Sequence, residues 1–216
     1  MRSLVIAPHP DDEVLGVGGT LLRRKTEGAE VAWVIVTMIP AESGRSEERA
    51  EEISRITDLF RFDKVFSLNF PTSQLDQVPV SELVSGVSNA FKLFEPEEVF
   101  VPHPSDIHTD HRIAFNAVAA CTKWFRYPSV KRVLAYETLS ETDFGLGTDR
   151  GFRPNVFIDI APFLEEKLRA MDIYASELGK FPFPRSQQAI RALATLRGAA
   201  SGFAAAEAFE LLRERS

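Results

Sequence analysis

The four histidines of this 216-residue chain fall in two places, both crowded with carboxylates. His9 opens the run His9-Pro10-Asp11-Asp12-Glu13, and the others share the run His103-Pro104-Ser105-Asp106-Ile107-His108-Thr109-Asp110-His111. Neutral imidazole nitrogen and carboxylate oxygen both bind zinc, and a catalytic zinc keeps three protein ligands and an open position. His9 and Asp12 stand three residues apart, as do His108 and His111, so each pair can turn towards one point. One ligand set, His9, Asp12 and His111, leaves Asp11 and His108 over for proton chemistry. A carboxylate and an imidazole beside a metal-activated water can hydrolyse a carbonyl compound. A plainer reading stands beside this one. Asp11 or Asp12 can cap a helix by accepting backbone N–H bonds, and Asp110 can do the same for the helix carrying His111. His103, flanked by Pro102 and Pro104, reads as a structural or supporting histidine rather than a ligand. Asp106 reads as an acceptor for a histidine N–H or a turn-former.

These residues need elements that bring two distant segments together. Leu4–Ala7, Val31–Thr37, Val65–Leu68 and Val99–Val101 are apolar, β-branched runs stopped by prolines or polar residues. Such runs suit strands buried on both faces of a parallel sheet. Helical spacing separates them: Val14, Val17 and Leu21, stopped near Gly28; Ile53, Ile56 and Phe60 behind the acidic pair Glu47-Glu48; Leu83, Val84, Val87, Phe91 and Phe94; and Ile113, Ala114, Ala117, Val118 and Cys121. The alternation predicts a doubly wound, mostly parallel α/β fold with right-handed crossovers. Both histidine clusters follow strands, and the crevice of an open α/β sheet lies at the carboxyl ends of its strands.

Further along, Val133–Tyr136 and Val156–Ile160 read as two more strands, with a Gly-rich loop, Phe144–Gly151, between them. Pro162 suits a helix start ahead of Leu164, Leu168 and Met171. Phe181-Pro182-Phe183-Pro184 breaks the chain, and Ala-rich helices are expected from Gln187 to the end, interrupted near Gly198–Gly202. The expected organisation is one domain over 1–216, with an α/β core over 1–140 and a mainly helical extension over 141–216. Gly16-Val17-Gly18-Gly19 lacks the spacing of a dinucleotide fingerprint and reads as close helix-on-sheet packing. Cys121, Trp33, Trp124 and the phenylalanines read as packing residues, and Arg23-Arg24-Lys25 as the solvated end of the first helix.

Composition narrows the function. One cysteine excludes a disulfide framework and a Cys-rich zinc fold. With 25 Lys+Arg against 31 Asp+Glu the net charge is −6, which does not favour nucleic-acid binding. No apolar run reaches the roughly 18–20 residues of a membrane span, and the N-terminal run is too short for a signal peptide. The expectation is a cytoplasmic protein.

Ala7-Pro8-His9-Pro10-Asp11-Asp12-Glu13-Val14-Leu15-Gly16, with Gly18-Gly19, resembles the opening motif of the LmbE-like, or PIG-L, de-N-acetylases. Pro102-His103-Pro104 through Asp106, His108 and Asp110-His111-Arg112 resembles their second motif, and Arg49-x-x-Glu52 between them also fits. The resemblance covers about the first 140 residues. It implies a Rossmann-like fold and a zinc-dependent hydrolase that removes acetyl from an N-acetylated amino sugar or its conjugate. It further implies His9, Asp12 and His111 as zinc ligands, Asp11 as general base, His108 as oxyanion partner or acid, and Asp110 as the electrostatic partner of His108. Arg49 corresponds to an arginine near the substrate. The Gly-Glu pair common in the family after the second strand is replaced here by Glu42-Ser43-Gly44-Arg45.

Two other functions share these residues. A 2-His-1-carboxylate iron enzyme uses the same ligand types, but the extra carboxylate and imidazole favour hydrolysis. A non-catalytic sugar- or nucleotide-binding protein on the same fold has no need for both Asp11 and His108. Loops Thr37–Arg45 and Phe144–Gly151 and the Phe-Pro-Phe-Pro segment are the expected carriers of specificity. The long C-terminal segment, rich in aromatics and Ala, leaves homo-oligomerisation open.

Overall fold

The computed structural model describes residues 1–146 and 151–216; the centre of the expected Gly-rich loop, 147–150, lies outside the described residues. The unbroken apolar runs form strands whose residues are almost all buried: β1 (Arg2–Ala7), β2 (Glu30–Met38), β4 (Glu98–Pro102) and β5 (Arg132–Tyr136). β3 (Lys64–Pro71) alternates half-buried and exposed positions, as an edge strand can. With β6 (Val156–Asp159) and β7 (Ala206–Glu214) they make one seven-stranded sheet in the order β3-β2-β1-β4-β5-β7-β6. β1 to β5 pair in parallel, whereas β7 runs antiparallel to both its neighbours.

Side chains alternate between the two faces of the sheet, and each face has its own core. Val5, Trp33, Ile35, Phe100, Leu134 and Tyr136 meet helices α1 (Asp12–Thr26), α2 (Ser46–Phe60), α5 (Leu164–Ile173) and α6 (Gln187–Ala199). Leu4, Ile6, Val34, Val99, Val101 and Ala135 meet α3 (Val80–Phe94) and α4 (Thr109–Ala120). After β1 the chain winds outwards through β2 and β3, then returns to place β4 on the other side of β1. The order reverses between β1 and β4, and a crevice opens at such a switch point.

The glycines of α1 let the helix lie close to the sheet. A Cβ on Gly16 would stand 2.2 Å from the ring of Tyr136, and one on Gly19 2.7 Å from Ile160. Tyr136 is pinned in turn by its hydroxyl, which donates to the Ile6 carbonyl at 2.7 Å.

Three expectations are corrected. The chain does not end in helices: Ala206–Glu214 is strand β7, inserted between β5 and β6. Ala, Glu and Leu favour helix locally, but the free edges of β5 and β6 supply hydrogen-bond partners that override this preference. Arg24 is not solvated; it grips the buried Glu98 in a two-point contact, Nε–Oε2 2.8 Å and Nη2–Oε1 3.0 Å, because a buried carboxylate requires a charged partner. Trp124 is not a packing residue. It is 64% exposed beside the exposed Phe125, in the turn after α4.

Candidate functional site

His9 and Asp11 occupy the turn between β1 and α1, and Asp12 is the first residue of α1. Asp11 has φ 130°, a conformation strained for a residue with a side chain, and strain of this kind gathers at functional sites. Across the switch point, His108 precedes α4 and His111 lies in its first turn. The helix cap is the ring of His108, whose Nδ1 accepts the Asp110 backbone N–H at 3.1 Å. The Asp110 side chain therefore does not cap. Its carboxylate accepts the N–H groups of Ser73 and Leu75, at 2.7 and 3.2 Å, and meets His9 Nε2 at 3.1 Å.

The sequence-singled residues His9, Asp12 and His111 converge. One ligand-type atom from each lies within 4.8 Å of the others, and the same spacing holds for His9, His108 and Asp110. The first set fits a metal ion better. The Nδ1 of His111 bonds Asp106 Oδ2 at 2.8 Å, and Asp106 is held by the Thr142 hydroxyl at 2.7 Å. This fixes the imidazole so that Nε2 faces the cluster. There it is buried without a hydrogen-bond partner, although Asp12 Oδ2 stands 3.2 Å away. A short distance without hydrogen-bond alignment is what two ligands of a common ion show, because both aim at the ion rather than at each other. The second set is less suited, since both Asp110 oxygens already accept backbone N–H groups.

Without a metal the cluster stores protons. Burial disfavours charge on His9 and His111, but the charge of Asp12, with the His9–Asp110 and His111–Asp106 hydrogen bonds, overcomes it and raises them to about 9 and about 10. Asp12, buried against both imidazoles, is held well below the usual carboxylate range. Burial and the cationic neighbours His9 and His111 push His108 down to about 4. Burial and the adjacent Asp12 charge lift Asp11 to about 7, although Arg185 Nη1 donates to its Oδ2 at 2.8 Å. Behind Asp11, Glu13 is fully buried. It accepts the Asp11 N–H at 3.0 Å and the Tyr174 hydroxyl at 2.8 Å, and burial raises it to about 8.

A cavity of ≈ 210 Å³ opens in front of these groups, lined by His9, Pro10, Asp11, Ile39, Arg49, Thr72, His108, Glu177 and Arg185. Arg49 is at this cavity, yet most of its guanidinium is committed: Nη2 to Glu177 at 2.6 Å, Nη1 to the Pro10 carbonyl at 3.2 Å and to Glu52 at 3.2 Å. His103 lies outside the cluster, between the Ser105 N–H and Glu210. The sequence reading missed Glu177, Tyr174 and Arg185. They sit in the C-terminal third, where no spacing signalled chemistry; the only pointer was the position of Arg185 directly after Phe181-Pro182-Phe183-Pro184.

The chain belongs to the PIG-L family, described as GlcNAc-PI de-N-acetylase, whose model matches residues 4–122. It is 26% identical over 218 residues to the diacetylchitobiose deacetylase of Thermococcus kodakarensis, covering 95% of this chain and 81% of that protein. The N,N'-diacetylchitobiose deacetylase of Pyrococcus horikoshii, solved with an inhibitor, superposes with a TM-score of 0.78 at 25% identity, over 98% of this chain and 84% of that one. The fold is shared more widely: GalB, a 4-carboxy-2-hydroxymuconate hydratase from Pseudomonas putida, has a TM-score of 0.74 at 17% identity over 100% of this chain and 98% of its own. The fold alone therefore does not fix the reaction. Among the described residues no helix is long and apolar enough to cross a membrane.

Proposed function

We propose that this protein is a zinc-dependent de-N-acetylase that hydrolyses the acetamido group of an N-acetylated amino sugar or its conjugate. The observation that carries the proposal is the buried, unpartnered Nε2 of His111 facing Asp12 and His9, with Asp11 beside them at the head of the cavity. His9, Asp12 and His111 would hold the ion. When bound, zinc would polarise the acetyl carbonyl and acidify a water molecule in the site.

The chain's own groups supply the rest. Asp11, free of the ligand set and lining the cavity beside it, is placed to accept a proton from water. The water oxygen bonds to the carbonyl carbon, and negative charge gathers on the former carbonyl oxygen. His108 is suited to donate to that oxygen. Its Nδ1 is occupied as the acceptor of the Asp110 N–H, so the ring carries its proton on Nε2. The C–N bond then breaks, giving acetate and an amine. The proton that Asp11 took passes to the leaving nitrogen. Asp110 supports His9 and the backbone after β3 more directly than it supports the His108 ring.

The cavity is smaller than the roughly 300–1,000 Å³ of pockets for drug-sized ligands. It therefore suits one sugar unit, with any remaining conjugate outside. Thr72, Glu177 and the rim of Arg49 provide polar groups for sugar hydroxyls. The test is metal analysis of the purified protein joined to amine-release assays on N-acetylglucosamine derivatives, diacetylchitobiose and an acetyl-lysine peptide. About one zinc per chain and release from the sugars are expected. Preference for the peptide overturns the sugar assignment, and binding of the sugars without amine release favours a non-catalytic binding protein.

A further inference from the structure

Asp11 receives its charged partner from far along the chain, beyond the 4–122 family match. Arg185 stands in the segment between α5 and α6, and its guanidinium is held at three points. Nε donates to the Ser140 hydroxyl at 2.8 Å, Nη2 to Glu141 Oε1 at 3.0 Å and Nη1 to Asp11 Oδ2 at 2.8 Å. The first two anchors lie in one turn after β5, and that turn also accepts the Ile107 N–H through the Glu141 carbonyl at 3.1 Å. The arginine is thus braced against the loop that carries His108. Its side chain is 18% exposed and lines the cavity wall.

We propose that Arg185 is a positioning residue for Asp11: by binding Oδ2 it aims the other carboxylate oxygen at the water to be deprotonated. Local structure does not supply this aim. Asp11 sits at a strained φ, its N–H goes to Glu13, and its side chain makes no capping bond to α1. None of the hydrogen bonds above uses Oδ1. A planar fork is needed, because one group must satisfy Ser140, Glu141 and Asp11 in fixed directions, which a lysine ammonium on a flexible stem does not reproduce. Glu177 completes the arrangement at 3.6 Å from Nη1, and it also pairs with Arg49. The segment after α5 thereby closes one side of the site.

This inference rests on the role of Asp11 proposed above, and its test is separable from that reading. Arg185→Ala and Arg185→Lys are compared with the wild-type, zinc-loaded protein on an N-acetyl sugar that the wild type turns over. Arg185→Ala should keep its zinc and its KM while kcat falls on the order of 10–100-fold, the usual loss when an outer partner of a site is removed. Added guanidinium ion should restore part of the lost kcat, and Arg185→Lys should lie between the two. In an Asp11→Asn background Arg185→Ala should cost almost nothing further, because the two residues act as one unit. A rise in KM with unchanged kcat, or an equal loss in the Asp11→Asn background, overturns the proposal and makes Arg185 a substrate contact or a general support. Crystal structures give a readout free of activity: the Asp11 carboxylate should turn from its wild-type direction in Arg185→Ala, and an unmoved carboxylate overturns the proposal. If Arg185→Ala fails to fold, the same structure and kinetics on Arg185→Lys decide the matter. If the wild type releases amine from no sugar, the deacetylase reading falls, while the crystallographic comparison still decides what Arg185 does.

Discussion

Replacing Asp11 by asparagine removes the proposed proton acceptor and keeps the shape. Asp11→Asn should retain its zinc and lose about 10²–10⁴ in kcat, measured by steady-state amine release beside metal analysis. His108→Ala should lower kcat by about 10²–10³ with KM unchanged, since an oxyanion donor acts on charge that appears only during the reaction. A raised KM would instead mark His108 as a ground-state contact. The histidine cluster also sets a pH dependence. His9 and His111 have folded values of about 9 and about 10, above the ordinary 6.5, so the metal-free fold binds more protons than the unfolded chain. The stability this confers is complete below about 6.5 and is lost as pH rises through 9 and 10. With a chelator present, Tm should therefore fall between pH 7 and 10, and the fall should shrink in His111→Ala. Zinc needs the neutral rings, so its affinity should rise over the same range; calorimetric titrations at two pH values check this. The convergence of His9, Asp12 and His111 was legible because both clusters follow strands whose carboxyl ends meet at the switch point. The direction of each ring was not, since it depends on partners such as Asp106, Thr142 and Ser73 that only the folded chain brings near.

At the level of elements, α1 depends on its glycines. Gly16→Ala would push a methyl group into the Tyr136 ring, which is buried and tied to Ile6. The overpacking should cost about 1–3 kcal/mol, partly offset by the better helix propensity of Ala, and thermal unfolding should report a lower Tm. An unchanged Tm would show that β5 can shift away. The first five strands and four helices could be read from the chain because period and burial agree there: Val31–Val36 is buried on both faces, and Leu83, Val87 and Phe91 share one stripe. The last strand could not. Ala206-Glu207-Ala208-Phe209 is helix-prone by composition, and its state is decided by pairing with distant residues: Tyr136 and Val156, both opposite Phe209, precede it by 73 and 53 residues. The burial of Arg24 was hidden for the same reason, because Glu98 is 74 residues away.

The molecule as a whole is bound together by a buried charge contact. Lys167 of α5 donates to Glu207 of β7 at 2.6 Å and to the Leu15 carbonyl at 2.8 Å, while the Glu207 carboxylate accepts the Gly19 and Thr20 N–H groups of α1 at 2.8 and 2.7 Å. Three elements meet there, one from the N-terminal half and two from the C-terminal third. Lys167→Met leaves Glu207 without its cation and should cost about 3–5 kcal/mol. Denaturant unfolding followed by far-ultraviolet and by tryptophan signals should remain a single transition, because neither part holds a complete sheet. Two separated transitions would show that the C-terminal third unfolds alone. The insertion of β7 between β5 and β6 also orders events during synthesis. Every residue proposed to hold the metal has been made by His111, yet β5 must wait with an open edge until the strand from Ala206 emerges. An unpaired edge invites pairing with other chains, so the nascent protein can gather the residues proposed to hold the metal early but stays exposed to misassociation until the strand from Ala206 has been added.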